Sequence, residues 1–429
     1  MKISEQRWRH VFGDTQSTFQ VRVRGALLSA VITLPLLLGG NESSAFECTD
    51  ASGTLITAPD DGGDPTAVGG EAEAIGPGST AIGWRSESGE RSTAIGHLAT
   101  STGVRSVAIG ENADAQGDNA TAIGNESIAN GADALAIGDT AAATGTSSTA
   151  VGGESIANGT AATAYGWQSN ATGERAHAVG HLATATGERT LAVGEAANAT
   201  GVQASAIGNE ASATGTDATA IGTQSLANGN STTAVGGESV ADGLAATAYG
   251  WQSNATGERA HAMGHLATAT GDRTLAVGEA ATATGEQASA IGNEASATGI
   301  DAMAIGTQSV ANGNSTTAVG GESVATGPGA STFGWRAESG ERSTAVGHLA
   351  TATGVRSVAI GENADAQGDN ATAIGNESIA NGADALAIGD TTMATGTSTT
   401  AVGGESIANG TAATAFGWKS NATGERAHA

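Results

Sequence analysis

From Val68 onward, apolar side chains fall at one fixed place in a short cycle. A Val, Ile, Tyr, Met or Phe precedes glycine at Val68-Gly69, Ile82-Gly83, Ile95-Gly96 and Ile109-Gly110, and so on to Phe416-Gly417. Twenty-three of the twenty-five intervals are 14 residues. The two 13-residue intervals, Gly83 to Gly96 and Gly334 to Gly347, each carry "ESG" where the equivalent stretch elsewhere reads "NATG". A second glycine recurs seven residues after the first, as at Gly103, Gly117, Gly131, Gly145 and Gly159. Two glycines half a period apart predict two tight turns per repeat, each using glycine for a positive φ. The Ala, Ser, Thr and β-branched residues between them predict strands of three to five residues. One repeat is then one coil of an all-β solenoid.

Side-chain size separates inside from outside. The residue two before the anchor glycine is Ala from Ala67 to Ala415, Thr332 excepted, and the residue five after it is nearly always Ala, as at Ala115, Ala129 and Ala157. Such uniformity predicts a cramped interior. The residue directly before the glycine varies from Val to Tyr, and strand alternation turns it the other way. An outward apolar row results, with Ile109, Ile123, Ile137, Tyr165, Ile207, Ile221, Tyr249, Ile291, Ile305, Phe333 and Phe416 among its members. Each forgoes roughly 1.5–3 kcal/mol if left in water. A stripe of that kind is what an oligomer covers, so several identical rolls are expected to pack along it.

A longer period is superposed. Trp84, Trp167, Trp251, Trp335 and Trp418 all follow an anchor glycine and recur every 83 or 84 residues, or six coils. Blocks starting at Trp84 and Trp335 share one middle and those at Trp167 and Trp251 another, an order A, B, B, A with a fifth block begun. At about 4.8 Å per coil the bands lie about 29 Å apart, a spacing suited to multivalent contact. The preceding Tyr or Phe belongs to the apolar row. The five tryptophans, near Arg and His, are the candidate ligand contacts, with packing as the rival role.

Composition narrows the class. Aromatics make up 3% of the 429 residues against 66 glycines, which leaves little apolar area for a conventional core. The net charge of -26 opposes binding to nucleic acid or anionic lipid. Cys48 is the one cysteine, so no intrachain disulfide forms. Lys2, Arg7, Arg9, Arg22 and Arg24 precede the apolar run "ALLSAVITLPLLLGG" and "SSA" ending at Ala45, the order of a secretory signal. The expected organisation is a signal peptide over 1–45, a short segment over 46–63 and repeats over 64–429.

Candidate chemistry adds little. His177 with His181 and His261 with His265 stand four apart, about 13 Å along a strand, with no third ligand at fixed spacing, and read as surface histidines. Glu-Arg pairs such as Glu174-Arg175 and Glu188-Arg189 should stack coil on coil as a solvated ladder with opposite charges on the diagonals. Thr runs ("TATG" at 184–187 and 268–271) hint at an ice-binding face but are broken by Asn and Gln in most coils. No catalytic constellation, cofactor motif or metal-ligand spacing is present, and no enzyme is expected.

With "SVAIG" at 106–110 and 357–361 and the wider coil pattern A-I-G, S or A three later, then A-x-G, the chain resembles the YadA-like head of trimeric autotransporter adhesins over 64–429. The resemblance implies a left-handed parallel β-roll, here of about 26 coils of 14 residues, assembled as a homotrimer. It also implies display on the outer membrane of Gram-negative bacteria, host matrix or cell-surface ligands, and a part in adhesion and virulence. Such adhesins carry a neck, a coiled-coil stalk and a C-terminal β-barrel anchor. This sequence shows none, stops at Ala429 inside "GERAHA", and reads as incomplete, with no membrane anchor of its own. The expected function is polyvalent attachment; the alternative is a structural or ice-binding solenoid without specific adhesion.

Overall fold

The computed structural model describes residues 65–429 and, ahead of them, the antiparallel backbone pairing of Cys48–Thr49 with Leu55–Ile56. The expected signal peptide over 1–45, and most of 46–63, lie outside the described residues. Two compact units divide the chain, one ending at Ala161 and one running from Ala162 to Ala429. Each is a parallel β-solenoid without a helix among its described residues, the first holding seven coils and the second nineteen.

Every coil has one three-residue and one two-residue strand, except that after Ile360 the second is reduced to single bridges at Asp365. In the first unit Thr121–Ile123 pairs in parallel with Val107–Ile109 on one side and Leu135–Ile137 on the other. Ile128–Ala129 lies likewise between Asp114–Ala115 and Ala142–Ala143. In the second unit Ser289–Ile291 and Ser296–Ala297 stand in two parallel ladders of the same kind. The register is the repeat itself, residue i facing i+14, and it shortens to 13 at Thr80↔Thr93 and Ser331↔Thr344.

The interior is as narrow as the sequence implies. Ala122 and Ala129, two before and five after the anchor Gly124, are fully buried, and so are Ala120 and Ser127, an inward pair that lies beyond the two strands. Four small residues thus fill each coil, and the largest fully buried side chains are threonines. Most inward hydroxyls are satisfied by the turns, as where Ser127 Oγ donates to the Gly124 carbonyl at 3.0 Å and Thr316 Oγ1 to that of Gly313 at 2.7 Å, while Ser88, Ser357 and Ser406 have no partner for theirs. Thr332, the exception in the Ala row, donates to the Val324 carbonyl at 3.0 Å and meets the hydroxyl of Ser339, which replaces Ala in that 13-residue coil.

The two glycine rows turn out to differ. Anchor glycines take the expected positive φ, as at Gly124 (139°), but the second row, Gly76 apart, does not. At Gly117 the constraint is space, because a Cβ would stand 2.0 Å from the Gly131 carbonyl oxygen of the next coil. The left-handed conformation falls instead on non-glycine residues in both turns, Glu126 (53°) and Asp133 (57°) in one coil. In most turns the first carbonyl accepts from the fourth residue's N–H, as Ala134 to Gly131 at 3.2 Å, which fixes a tight turn with its third residue left-handed. The third residue's own N–H is taken up by the preceding coil, Asp133 to the Asp118 carbonyl at 2.8 Å. Stacked coils hold the strained residues in place.

Candidate functional site

The position after the anchor glycine opens a turn, so residues there stack as a column outside the roll. Its order explains the tryptophans. In the first unit Gly70, Trp84, His97 and Glu111 follow one another coil by coil. In the second, Gly237, Trp251, His265 and Glu279 do the same, then Gly321, Trp335, His348 and Glu362. Each Trp is stacked on the His of the next coil, with ring centroids 4.9 Å apart at Trp84–His97 and 5.0 Å at Trp167–His181, Trp251–His265 and Trp335–His348, and interplanar angles of 8–17°. Each His in turn points Nδ1 at the Glu one coil further on: His97 to Glu111 at 3.5 Å, His181 to Glu195 at 3.5 Å, His265 to Glu279 at 3.4 Å and His348 to Glu362 at 3.3 Å.

On its other side Trp251 lies against Gly237, where a Cβ would come within 3.0 Å of its Cδ1; Gly321 and Trp335 repeat this at 3.1 Å. The indole keeps about half its surface in solvent, 48% for Trp251 and 43% for Trp335. Trp84, Trp167 and Trp418 are exposed as well. Each indole thus combines a stacked face with an open edge.

The residue after each Trp adds charge. The Arg85 guanidinium lies 5.2 Å from the Trp84 ring centroid and pairs with Glu71 of the previous coil at 3.4 Å. Arg336 does the same for Trp335, at 5.1 Å and 3.5 Å from Glu322. Lys419 lies 4.2 Å over Trp418 and 3.5 Å from Glu405. Gln252 stands in this place beside Trp251 and donates to Glu238 at 2.7 Å.

The members of the apolar row face outward. Ile109, Ile137, Tyr165, Ile221, Tyr249, Phe333 and Phe416 are exposed, and Ile123, Ile207, Ile291 and Ile305 half-buried. Each ladder lines them up, as in Ser205–Ile207 against Thr219–Ile221. A single roll therefore leaves a continuous apolar strip in water.

Sequence neighbours prove less informative than coil neighbours. His177 sits outward on a strand between Thr163 and Leu191, whereas His181 belongs to the turn column under Trp167. The partnership had a visible signal, the shared place of Trp167, His181 and Glu195 after successive anchor glycines, and pairing histidines by proximity passed over it. No group of three or more His, Cys, Asp or Glu among the described residues is arranged to hold a metal. Most Glu-Arg pairs close within their own turn, Glu174–Arg175 at 3.8 Å and Glu188–Arg189 at 3.5 Å, while Arg273 takes the diagonal to Glu286 at 3.1 Å. The second-strand face reads Thr184, Asn198, Ser212, Leu226 on successive rungs, a mixed column with no regular Thr array.

Asp114 and Asp365 occupy that same face. Desolvation pushes their carboxyls above the usual Asp range, and hydrogen bonds from Gln116 and Gln367 pull them partly back. One oxygen of each, Oδ1, has no hydrogen-bond partner.

Comparison with known proteins gives a family. The model for the YadA head domain repeat matches in successive copies from residues 66–86 through 408–427. The crystal structure of the collagen-binding domain of the Yersinia adhesin YadA is a structural neighbour, at 22% identity and a TM-score of 0.20, over 37% of this chain and 65% of that one. Among curated proteins nothing matches. The chain belongs to the YadA head repeat family.

Proposed function

We propose that this member of the YadA head family is the ligand-contacting head of a bacterial surface adhesin. It is exported by the signal over 1–45, assembled as a homotrimer through the apolar row, and displayed at the outer membrane. Its ligands are host extracellular-matrix or cell-surface molecules, and no cofactor takes part. The observation that carries the reading is the repeated half-exposed indole, stacked on His and braced by Glu, at Trp84, Trp167, Trp251 and Trp335. A rigid aromatic edge with charged neighbours is the composition of a binding hot spot. Recurrence every six coils turns weak contacts into avid ones.

Trimer formation is supported by the outward apolar row of each unit, with Ile109 in the first and Phe416 in the second among its members. Covering one of its isoleucines is worth about 1.5–3 kcal/mol. Ile221→Asp with Ile305→Asp in the full chain is expected to shift analytical ultracentrifugation from trimer toward monomer while circular dichroism stays β. A monodisperse wild-type monomer sinks the assembly claim. For adhesion, binding of the full chain to immobilised collagen, fibronectin and cultured cells is compared with Trp167→Ala/Trp251→Ala. Unchanged binding by the double variant removes the tryptophans from the ligand surface.

A further inference from the structure

The tryptophan platforms are of two kinds, and the difference lies in one side chain. At Trp84 and Trp335 the following arginine lies over the indole and reaches back to a glutamate in the previous coil, Glu71 or Glu322. At Trp418 a lysine makes the same bridge to Glu405. Trp251 has the indole and the glutamate, Glu238, but no Arg or Lys over the ring among the described residues. The backbone is alike in both kinds. Arg85, Gln252 and Arg336 have φ of 54°, 54° and 52°, and their N–H groups donate to Gly70, Gly237 and Gly321 at 2.9 Å each. A glycine one coil before the indole keeps that rung clear of a side chain, so the place filled by Arg336 at one platform is reached only by an amide at the other.

We infer that the Trp251 platform is a binding site for a cationic side chain, arginine or lysine, of a basic polypeptide partner. The guanidinium or ammonium lies over the indole and against the Glu238 carboxylate, as Arg336 does over Trp335 against Glu322. Gln252 gives up its hydrogen bond to Glu238 when the cation enters. The chain itself thus supplies the pattern of the occupant in three other platforms. Complementarity extends beyond the site, since a chain of net charge -26 attracts basic partners over a distance. Aromatic faces hold such cations weakly at exposed sites, which suits repeated use along an adhesive head. The biological occupant rests on the adhesive reading above; the chemistry of the site does not.

The test uses the full chain labelled with 5-fluorotryptophan and titrated with Nα-acetyl-L-arginine methylamide, read by fluorine NMR with each resonance assigned by single Trp→Phe variants. The Trp251 resonance is expected to move saturably, with an apparent affinity about 2- to 5-fold above any response at Trp335. Gln252→Arg fills the place from within and abolishes the response. Gln308→Arg makes the same charge change at an equivalent turn, beside Glu294 but next to Thr307, and leaves it intact. Arg336→Gln opens the Trp335 platform and creates a second responding resonance. Equal responses at all tryptophans, an unchanged response in Gln252→Arg, or none at Trp335 in Arg336→Gln overturns the assignment. If the probe binds as expected while the full chain ignores matrix proteins and cells, the adhesive reading fails and the cation site stands.

Discussion

The glycine row at mid-repeat offers the sharpest test of how the solenoid is held. Gly285 has no left-handed φ to excuse it, so Gly285→Ala tests space alone. Its new Cβ would stand 1.9 Å from the Gly299 carbonyl oxygen and 2.4 Å from the carbonyl carbon, both backbone atoms of the next coil. Since real Cβ contacts essentially never fall below 3.0 Å, the two coils must part by at least 1.1 Å there. Two inter-coil hydrogen bonds straddle the point, Thr284 N–H to the Ala297 carbonyl and Asp301 N–H to the Glu286 carbonyl, each 2.9 Å. Opened by that amount, both reach about 4 Å and are lost. At about 1 kcal/mol net for each, with lost packing added, the substitution costs about 2–4 kcal/mol.

A solenoid spreads its stability over nearest-neighbour interfaces, so a wound at one interface weakens cooperation across it. Urea unfolding followed by far-UV circular dichroism and tryptophan fluorescence should show a lower midpoint and a broadened or split transition. Gly321→Ala is the matched control: its Cβ would press on a side chain, Trp335 at 3.1 Å, and approach backbone no closer than an ordinary 3.8 Å at the Thr307 carbonyl oxygen, and the expected cost is below about 1 kcal/mol. If Gly285→Ala unfolds within about 0.5 kcal/mol of the parent, or if the two variants cost the same, backbone contact is not what selects glycine here.

Other consequences follow from named residues. Thr391 holds φ at 51° with a β-branched side chain, so Thr391→Gly should raise stability by about 0.5–1 kcal/mol in chemical denaturation, the relief of strain outweighing the looser unfolded chain. Asp365 has its carboxyl raised by burial, so the folded state is penalised above the folded pKa and the penalty vanishes below the ordinary Asp range. Asp365→Asn should therefore gain about 0.5 kcal/mol at pH 7, a small figure because the group is half in solvent, and the two curves should converge near pH 3. His265→Ala strips one face of Trp251 at a cost of about 0.5–1.5 kcal/mol, and acrylamide should quench that indole more strongly.

Most of the fold was legible because every coil repeats the same demands. Ala122 and Ala129 announced the interior by their size, and Ile109 and Tyr249 the exterior by their variety. The inward place of Ala120 and Ser127 was harder to read, since both lie where a strand gives way to a turn and simple alternation ends. The turns themselves misled. Glycine was expected to take a positive φ twice per coil; the anchor row does, but in the second row glycine is wanted for close approach, and in both turns the third residue, Glu126 and Asp133, is left-handed with its N–H partnered by stacking. The candidate site was legible in its tryptophans and not in its partners. Trp167 and His181 stand 14 residues apart, and only the coil makes them neighbours.

This division between constrained and free columns bears on how such a head changes its specificity. The inward positions admit Ala, Ser or Thr, and the glycine rows admit nothing larger without breaking inter-coil bonds. The two turn positions after the anchor glycine touch neither, and there the sequence ranges over Gly, Trp, His, Glu, Asn, Thr and Asp in one column and Arg, Lys, Gln, Glu, Leu, Asn, Thr and Ala in the next. The same left-handed turn accepts Arg85, Gln168, Gln252 and Arg336 with φ between 52° and 54°. The order A, B, B, A of the blocks is thus also an order of platforms, arginine at the outer two and glutamine at the inner two. Duplication of a block copies a whole platform in register, and one substitution at the residue after Trp then decides whether that copy carries its own cation or waits for one. Exchanging Gln252 and Arg336 should therefore move cation binding from Trp251 to Trp335 without altering the urea midpoint, because both side chains start from one backbone; a shift in stability above about 1 kcal/mol would show that the two columns are not independent of the roll.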